Sequence, residues 1–307
     1  MTSFYPILKV TPEQRIGDES LGTKEKFWFR REDGSLWLFK EVRAISQDLG
    51  FSGEDWAEKV AAEMARFLDI PAAEVELAEH EGRRGCASKS FIGSPERANK
   101  WHLMHGNEVL AGFRPGYNSD ARFGQSEHTL ENIIGARAGI FPGRRGGAAL
   151  AQLASYIVLD ALIGNTDRHH ENWGIFWHAV DQRDAMHILR MAPTYDHASS
   201  LGRELSDRKR ADFLGEGTVE RYVRKGRGGI YMQGAKRGEN PLCLAEFAAA
   251  RDPAYFEGVL GRLRNTPLDT LAATVDRVPD SRISSKARDF AKEMLKVAYT
   301  ALTRIGQ

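Results

Sequence analysis

Residues 164 to 174 read Gly-Asn-Thr-Asp-Arg-His-His-Glu-Asn-Trp-Gly, and the types and spacing of Asp167, His169 and Asn172 suit phosphoryl transfer. That reaction needs a carboxylate to orient the attacking hydroxyl and an amide oxygen to hold Mg2+ without quenching its charge. Asp167 and Asn172 fit those two roles, with His169 inside the same loop as a group that orients Asp167 or supports the loop. A second metal-binding carboxylate is also required, and Asp196 in Pro-Thr-Tyr-Asp-His-Ala-Ser-Ser-Leu-Gly supplies it. A lone Asp-x-x-x-x-Asn is common, however, and polar residues between a helix and a strand usually mean only a turn. The weight therefore falls on the elements that would position the loop.

Residues 173 to 178 and 186 to 191 are apolar stretches separated by the polar Asp181-Gln182-Arg183-Asp184, the pattern of a hairpin. An antiparallel hairpin returns its outer ends to one place, so Asn172 and Asp196 should lie side by side at its open end. A second, aromatic-rich hairpin is expected over 26 to 30 and 36 to 42, turning at Asp33-Gly34. Ahead of it, the segment from Gly17 to Lys26 offers Ser20, Gly22, Thr23 and Lys24 as a loop whose backbone could approach phosphates; such glycines and hydroxyls also mark ordinary turns. Lys40 ends the second strand, where its ammonium could reach the phosphates of a nucleotide, unless it is simply a solvated lysine on an edge strand.

A helix is expected over 53 to 68, with Ser52 capping it, acids in its first turn and Pro71 just beyond. On it Trp56, Val60, Met64, Phe67 and Leu68 share an apolar arc. Glu58 lies at the border of that arc among alanines small enough to let the helix sit close to the sheet. It could pair with Lys40, with Glu63 and Glu54 as competing choices.

At 307 residues the chain is longer than one ordinary core, so two lobes with a cleft between them are expected. Lys plus Arg number 43 against 42 for Asp plus Glu, which leaves no bulk electrostatic attraction to nucleic acid or membrane. The two cysteines, Cys86 and Cys243, have no metal-ligand spacing and suit a reducing compartment. The amino terminus has no signal-peptide pattern. The apolar stretch 148 to 163 is interrupted by Gln152, Ser155, Tyr156 and Asp160, which reads as too short and too polar to span a bilayer.

Five histidines (169, 170, 178, 187 and 197) fall in one region but lack the i, i+4 spacing of a helical zinc site. Arg203, Arg208, Lys209 and Arg210, then Arg221, Arg224, Lys225 and Arg227, form a basic run: ordinarily a solvated face, here also near the acceptor side of a cleft. Segment 118 to 147 suggests loop and short helix. From about 242 onward apolar residues from Leu244 to Leu302 recur at helical intervals, broken at Pro253, Pro267 and Pro279, as in a helical lobe.

Taken in order, the loop at Ser20, Lys40, Glu58, the Asp167 to Asn172 loop and Tyr195-Asp196 resemble the HipA-type serine/threonine kinases of bacteria. Asp-Arg-His-x-x-Asn is similar also to the corresponding loop of phosphatidylinositol kinases. The resemblance implies an α+β, bilobal, protein-kinase-like fold: a small α+β lobe over residues 1–92 above a mainly helical lobe over 93–307. It makes Asp167 the catalytic carboxylate, Asn172 and Asp196 the Mg2+ ligands, and Lys40 the phosphate-contacting lysine, with ATP as the nucleotide. Ser20, two residues before Gly22, takes the position of a phosphate-loop serine that autophosphorylates, since a dianion there competes with the nucleotide. With about twenty residues ahead of that loop, the chain resembles the compact HipT/CtkA-like members lacking the amino-terminal HipA subdomain. A protein with a Ser/Thr acceptor is the implied substrate, a HipB-like antitoxin an implied partner, and the cytoplasm the expected location, a secreted effector being the variant. A lipid or small-molecule kinase with the same ATP site, and a pseudokinase binding module, are the alternatives.

Overall fold

The computed structural model describes residues 3–19, 26–46, 50–92, 101–121, 124–141, 143–179 and 187–307. Among these, a six-stranded sheet has the order β1-β7-β8-β4-β3-β2. Its strands are β1 (Ile7–Val10), β2 (Arg15–Asp18), β3 (Lys26–Arg30), β4 (Leu36–Glu41), β7 (Val75–His80) and β8 (Arg83–Lys89). β3 and β4 form the expected hairpin, with Gly34 at φ +78° in the turn. β4 pairs on its other side with β8, so Lys40 stands on an interior strand and not at an edge. Strand alternation then sorts the faces. Phe27, Phe29, Trp37 and Phe39 pack with Val10, Ala78 and Ala87 into a small core. Lys40, level with Cys86, projects from the opposite face. A short pair, β5 (Ala44–Ser46) and β6 (Gly50–Phe51), leads into helix α1 (Glu54–Phe67).

Helix α1 is almost entirely enclosed. Trp56, Val60, Met64 and Leu68 are buried as the apolar arc requires, but Phe67 is 42% exposed, turned outward under the Arg66 guanidinium. Ala57, Ala61 and Ala65 have no exposed surface, the close approach their size permits. The helix starts one residue later than its sequence signal suggests. Gly53 is the N-cap, and Ser52 Oγ is instead 3.4 Å from Arg203, because a long-range partner outcompetes the local backbone for that hydroxyl. Fully buried Asp55 receives Arg84 at 2.7 and 2.8 Å and Arg282 at 3.0 Å. Arg262 caps the far end by donating to Leu68 O at 2.7 Å. α1 is thus bound both to β8 and to the helical half of the chain.

That half contains α2 (Gly106–Phe113), α3 (Leu130–Ile140), α4 (Arg144–Ile163), α5 (Asp207–Gly215), α6 (Val219–Lys225), α7 (Pro241–Arg251), α8 (Pro253–Asn265), α9 (Leu268–Asp276) and α10 (Ser285–Thr303). α4 is longer than the apolar stretch that marked it and is apolar enough to cross a membrane, yet it is mostly buried, with α7, α8 and α10 packed around it. Prolines stand at the starts of α8 and α9 as anticipated. Leu244, Phe256, Val259, Leu260, Leu263, Leu271, Phe290, Met294, Leu295 and Leu302 are buried, whereas Phe247 is exposed. Between the sheet and the helices, β10 (Gly174–Ala179) and β11 (His187–Met191) pair antiparallel. The residues of the expected turn, 181 to 184, lie outside the described residues. A third strand, β9 (Trp101–His105), joins the outer edge of β10.

Candidate active site

α4 ends at Gly164, whose left-handed φ of +64° stops the helix and releases the loop. Asn165 shapes the first turn of that loop: its side chain donates to Asp160 Oδ1 at 2.8 Å and accepts from the Asp167 N–H at 3.0 Å. Asn172 closes the loop, donating from Nδ2 to Asp167 O at 2.7 Å. That bond settles which end of the amide is which, and leaves Oδ1 as the atom that can face a cation.

Arg168 turns inward and organises the loop. It donates from Nε and Nη2 to the two carboxylate oxygens of Asp160, each at 2.7 Å, and from Nη1 to Asn172 O and to Tyr195 O, the latter at 3.0 Å. The helix end, the loop and the residue before Asp196 therefore meet on one guanidinium. Burial disfavours its charge and Asp160 more than offsets this, so its pKa is raised. Behind the loop, Gly229 lies so close that a Cβ there would sit 2.8 Å from the Arg168 carbonyl. His128 fills the adjoining space, accepting from Trp173 Nε1 at 3.0 Å and donating from Nδ1 to Gly229 O at 2.7 Å. Burial pushes its pKa down to about 3, so it is neutral. His169 is buried and its Nδ1 accepts from the Glu171 N–H at 3.2 Å, a contact that supports the loop.

From β11 the chain returns to Asp196 as the hairpin geometry anticipates. Tyr195 OH donates to Glu171 O at 2.8 Å and lies 2.8 Å from His105 Nδ1, while Thr194 docks on Pro71 and Ala73 through main-chain bonds of 2.9 Å. Asp196 itself has φ +59°, a conformation that a non-glycine residue holds only when its surroundings impose it. Lys40 Nζ, from the sheet, is 3.2 Å from Asp196 Oδ1. Burial alone would lower the Lys40 pKa, but Asp196 and then Glu58 outweigh it, and the ammonium is held well above its usual range.

Glu58 is the glutamate that faces this cluster, since Glu63 is engaged by Lys59 at 2.8 Å and Glu54 by Arg203 at 2.8 Å. The expected Lys40–Glu58 bond is not made: Lys40 takes Asp196, and Glu58 lies 3.5 Å from His197 Nδ1. The physical reason is competition for one ammonium: Asp196, brought to it by the chain leaving β11, acts on Lys40 more strongly than Glu58 does. Neither oxygen of Glu58 accepts a hydrogen bond among the described residues. Ser20, Gly22, Thr23 and Lys24 lie outside the described residues.

Asn172 Oδ1 and the Asp196 carboxylate are hard oxygens of the kind a divalent cation takes, and the Lys40 ammonium lies 3.2 Å from Asp196 Oδ1. Asp160 and Ser199 adjoin the loop without having been singled out by spacing, and Arg168, Tyr195 and Arg203, legible only as members of a motif or of the basic run, prove to be its internal supports. Asp160 carried a signal, as a carboxylate inside an apolar helical stretch needs a buried partner. Half of the basic run is engaged within the chain: Arg203 binds Glu54, Arg210 is buried against Asp207, Arg224 meets Glu220, and Arg227 meets Glu239.

A small sheet and one enclosed helix set over a helical lobe, with ionic groups converging from both, is the protein-kinase-like architecture. Over residues 19–225 the sequence matches the HipA-like C-terminal domain family, and the chain belongs to that family. Among solved structures, the chain is similar to the Helicobacter pylori proinflammatory kinase CtkA, at 17% identity over 98% of this chain and 100% of that one, with a TM-score of 0.73. It is also similar to HipA from the Shewanella oneidensis toxin-antitoxin system, solved with HipB and operator DNA, at 12% identity over 95% of this chain and 65% of that one, TM-score 0.54. A Golgi casein kinase aligns at 15% identity over 99% of this chain and 74% of that one, but its TM-score of 0.44 is too low to carry weight. No curated protein matches the sequence.

Proposed function

We propose that the chain is a HipA-type serine/threonine protein kinase that moves the γ-phosphoryl group of Mg-ATP to a protein hydroxyl. The observation that carries this is the meeting of Lys40 and Asp196, 156 positions apart, at 3.2 Å beside the loop of Asp167 and Asn172. In the reaction the acceptor oxygen bonds to the γ-phosphorus as the bond to the β-phosphate oxygen breaks. ADP leaves with the bonding electrons, and Asp167 receives the hydroxyl proton. Asn172 Oδ1 and Asp196 would hold Mg2+, which neutralises charge on the phosphates when bound. Lys40 then exchanges Asp196 for phosphate oxygens, and Glu58 is the anion placed to steady it.

Ser20 is proposed as a self-phosphorylation site and a HipB-like antitoxin as a partner, with the cytoplasm as the place of action. The toxin-antitoxin HipA solved with HipB and operator DNA motivates the partner. Intact-mass spectrometry before and after incubation with Mg-ATP, with Asp167→Ala as control, tests the activity. A phosphate that appears only with intact Asp167 supports it, and fragmentation tests Ser20. If neither self-modification nor transfer to dephosphorylated casein occurs in a chain that binds ATP, the kinase proposal fails.

A further inference from the structure

Under the function proposed above, Asp167 must present its carboxylate to an acceptor hydroxyl, and a neighbouring serine is built to set that orientation. Ser199 Oγ donates to Asp167 Oδ2 at 3.5 Å, while Ser199 O accepts from the Thr166 N–H at 3.1 Å. The main-chain bond fixes Ser199 against the residue preceding Asp167. The same oxygen accepts from Arg203 Nη2 at 3.1 Å, and the Asp167 carboxylate, which can only accept, is the partner for its proton.

Arg203 carries the connection further. Its Nη1 donates to Glu54 Oε1 at 2.8 Å and to Ser52 Oγ at 3.4 Å, and its carbonyl accepts from the Gly53 N–H at 3.3 Å. Side chain and main chain thus grip the first turn of α1 together. The turn that presents Arg203 is itself imposed: Leu201 and Gly202 have φ of +55° and +65°, Leu201 N donates to Ile163 O at 2.9 Å, and Arg210 donates to Gly202 O and Arg203 O at 3.0 and 3.1 Å. One guanidinium therefore joins the helix that carries Glu58 to the hydroxyl that holds Asp167.

We infer that Ser199 and Arg203 are positioning residues, forming a relay from Glu54 through Arg203 and Ser199 to the Asp167 carboxylate that makes its orientation depend on the seat of α1. Neither touches substrate; each acts through Asp167. This gives the first member of the basic run a task inside the protein, distinct from acceptor recognition.

Two readouts test the relay. In steady-state transfer to dephosphorylated casein, Ser199→Ala should lower kcat by a few-fold, since a 3.5 Å contact is weaker than a full hydrogen bond to a charged group, with KM for ATP unchanged. Ser199→Thr, which keeps the hydroxyl, should restore most of the loss. In amide hydrogen exchange, Arg203→Gln should quicken the amides of Thr166 and of residues 53 to 55 together, and Arg203→Lys, able to reach only one of its two partners, should do so partly. Wild-type kcat in Ser199→Ala, equal loss in the Thr variant, or unchanged exchange at Thr166 would each overturn the relay. A wild-type chain that binds ATP yet transfers nothing would sink the proposed kinase reaction, and the exchange measurement would still decide the link between α1 and the loop.

Discussion

Arg168 and Glu58 are both ionic and both nearly sealed from solvent, at 5% and 1% exposure, yet their surroundings treat them in opposite ways. Every nitrogen of the Arg168 guanidinium donates, two of them in a fork to Asp160. Glu58 accepts no hydrogen bond among the described residues; the His197 ring stands 3.5 Å away, and Lys40 and the Cys86 thiol lie within its field. Burying a charge is costly, and a saturated partner set offsets that cost where a half-filled one does not. Arg168 therefore reads as scaffold that keeps Asp167, Asn172 and Asp196 in register. Glu58, with Lys40 and Asp196, reads as a cluster of buried charges held by field more than by hydrogen bonds.

The contrast breaks most visibly at its saturated end. Arg168→Ala strands the Asp160 carboxylate in the core, and should cost about 3 to 5 kcal/mol of stability, read from urea denaturation. A loss no larger than that of a surface arginine would remove the distinction between scaffold and site. At the other end, Asp167→Asn should reduce phosphoryl transfer by roughly 10²- to 10⁴-fold, with the urea midpoint near that of wild type. Parallel loss of fold and turnover in this half-buried residue would place it in the scaffold instead.

Glu58→Gln sharpens the middle of the comparison. Removing a buried charge and losing its attraction to Lys40 should nearly cancel, leaving stability within about 1 kcal/mol, while kcat/KM for ATP falls about ten-fold as Lys40 loses the field of the second carboxylate proposed to steady it on phosphate. A large stability loss would show that Glu58 is as structurally committed as Arg168. The smallest effect concerns His128, whose two ring nitrogens are both engaged. Its pKa is lowered from 6.5 to about 3 by burial first and by nearby positive groups. A histidine depressed in the folded state contributes fully above its unfolded pKa, and that stability drains away as pH falls from 6.5 toward 3. Urea midpoints between pH 7 and pH 4 should therefore fall, and less steeply in His128→Gln; identical slopes would count against a neutral, saturated His128.

Much of the site is legible locally. The Asp167 to Asn172 spacing, the hairpin that brings Asp196 back, and the alternation that turns Lys40 away from Phe39 all depend on residues within a strand or loop of one another. The corrections share a different origin. Ser52 is drawn from its cap by Arg203, Phe67 leaves the apolar arc at the helix end, β9 joins β10 from far upstream, and Lys40 lies on an interior strand because β8 pairs beyond it. All but Phe67, which lies against the neighbouring Arg66, depend on an element that sequence periodicity does not register.

By itself, then, the sequence determined much of the strand and helix pattern, the spacing of the loop residues and the kinship to HipA-type kinases, because hydrophobic period, turn residues and motif spacing are properties of neighbouring residues. Tertiary structure decided which glutamate of α1 faces Lys40, that Lys40 pairs with Asp196, and that Arg168 gathers Asp160, Asn172 and Tyr195 onto one group. A buried charge takes whichever counter-charge packing delivers within reach, and packing is settled only when distant segments meet.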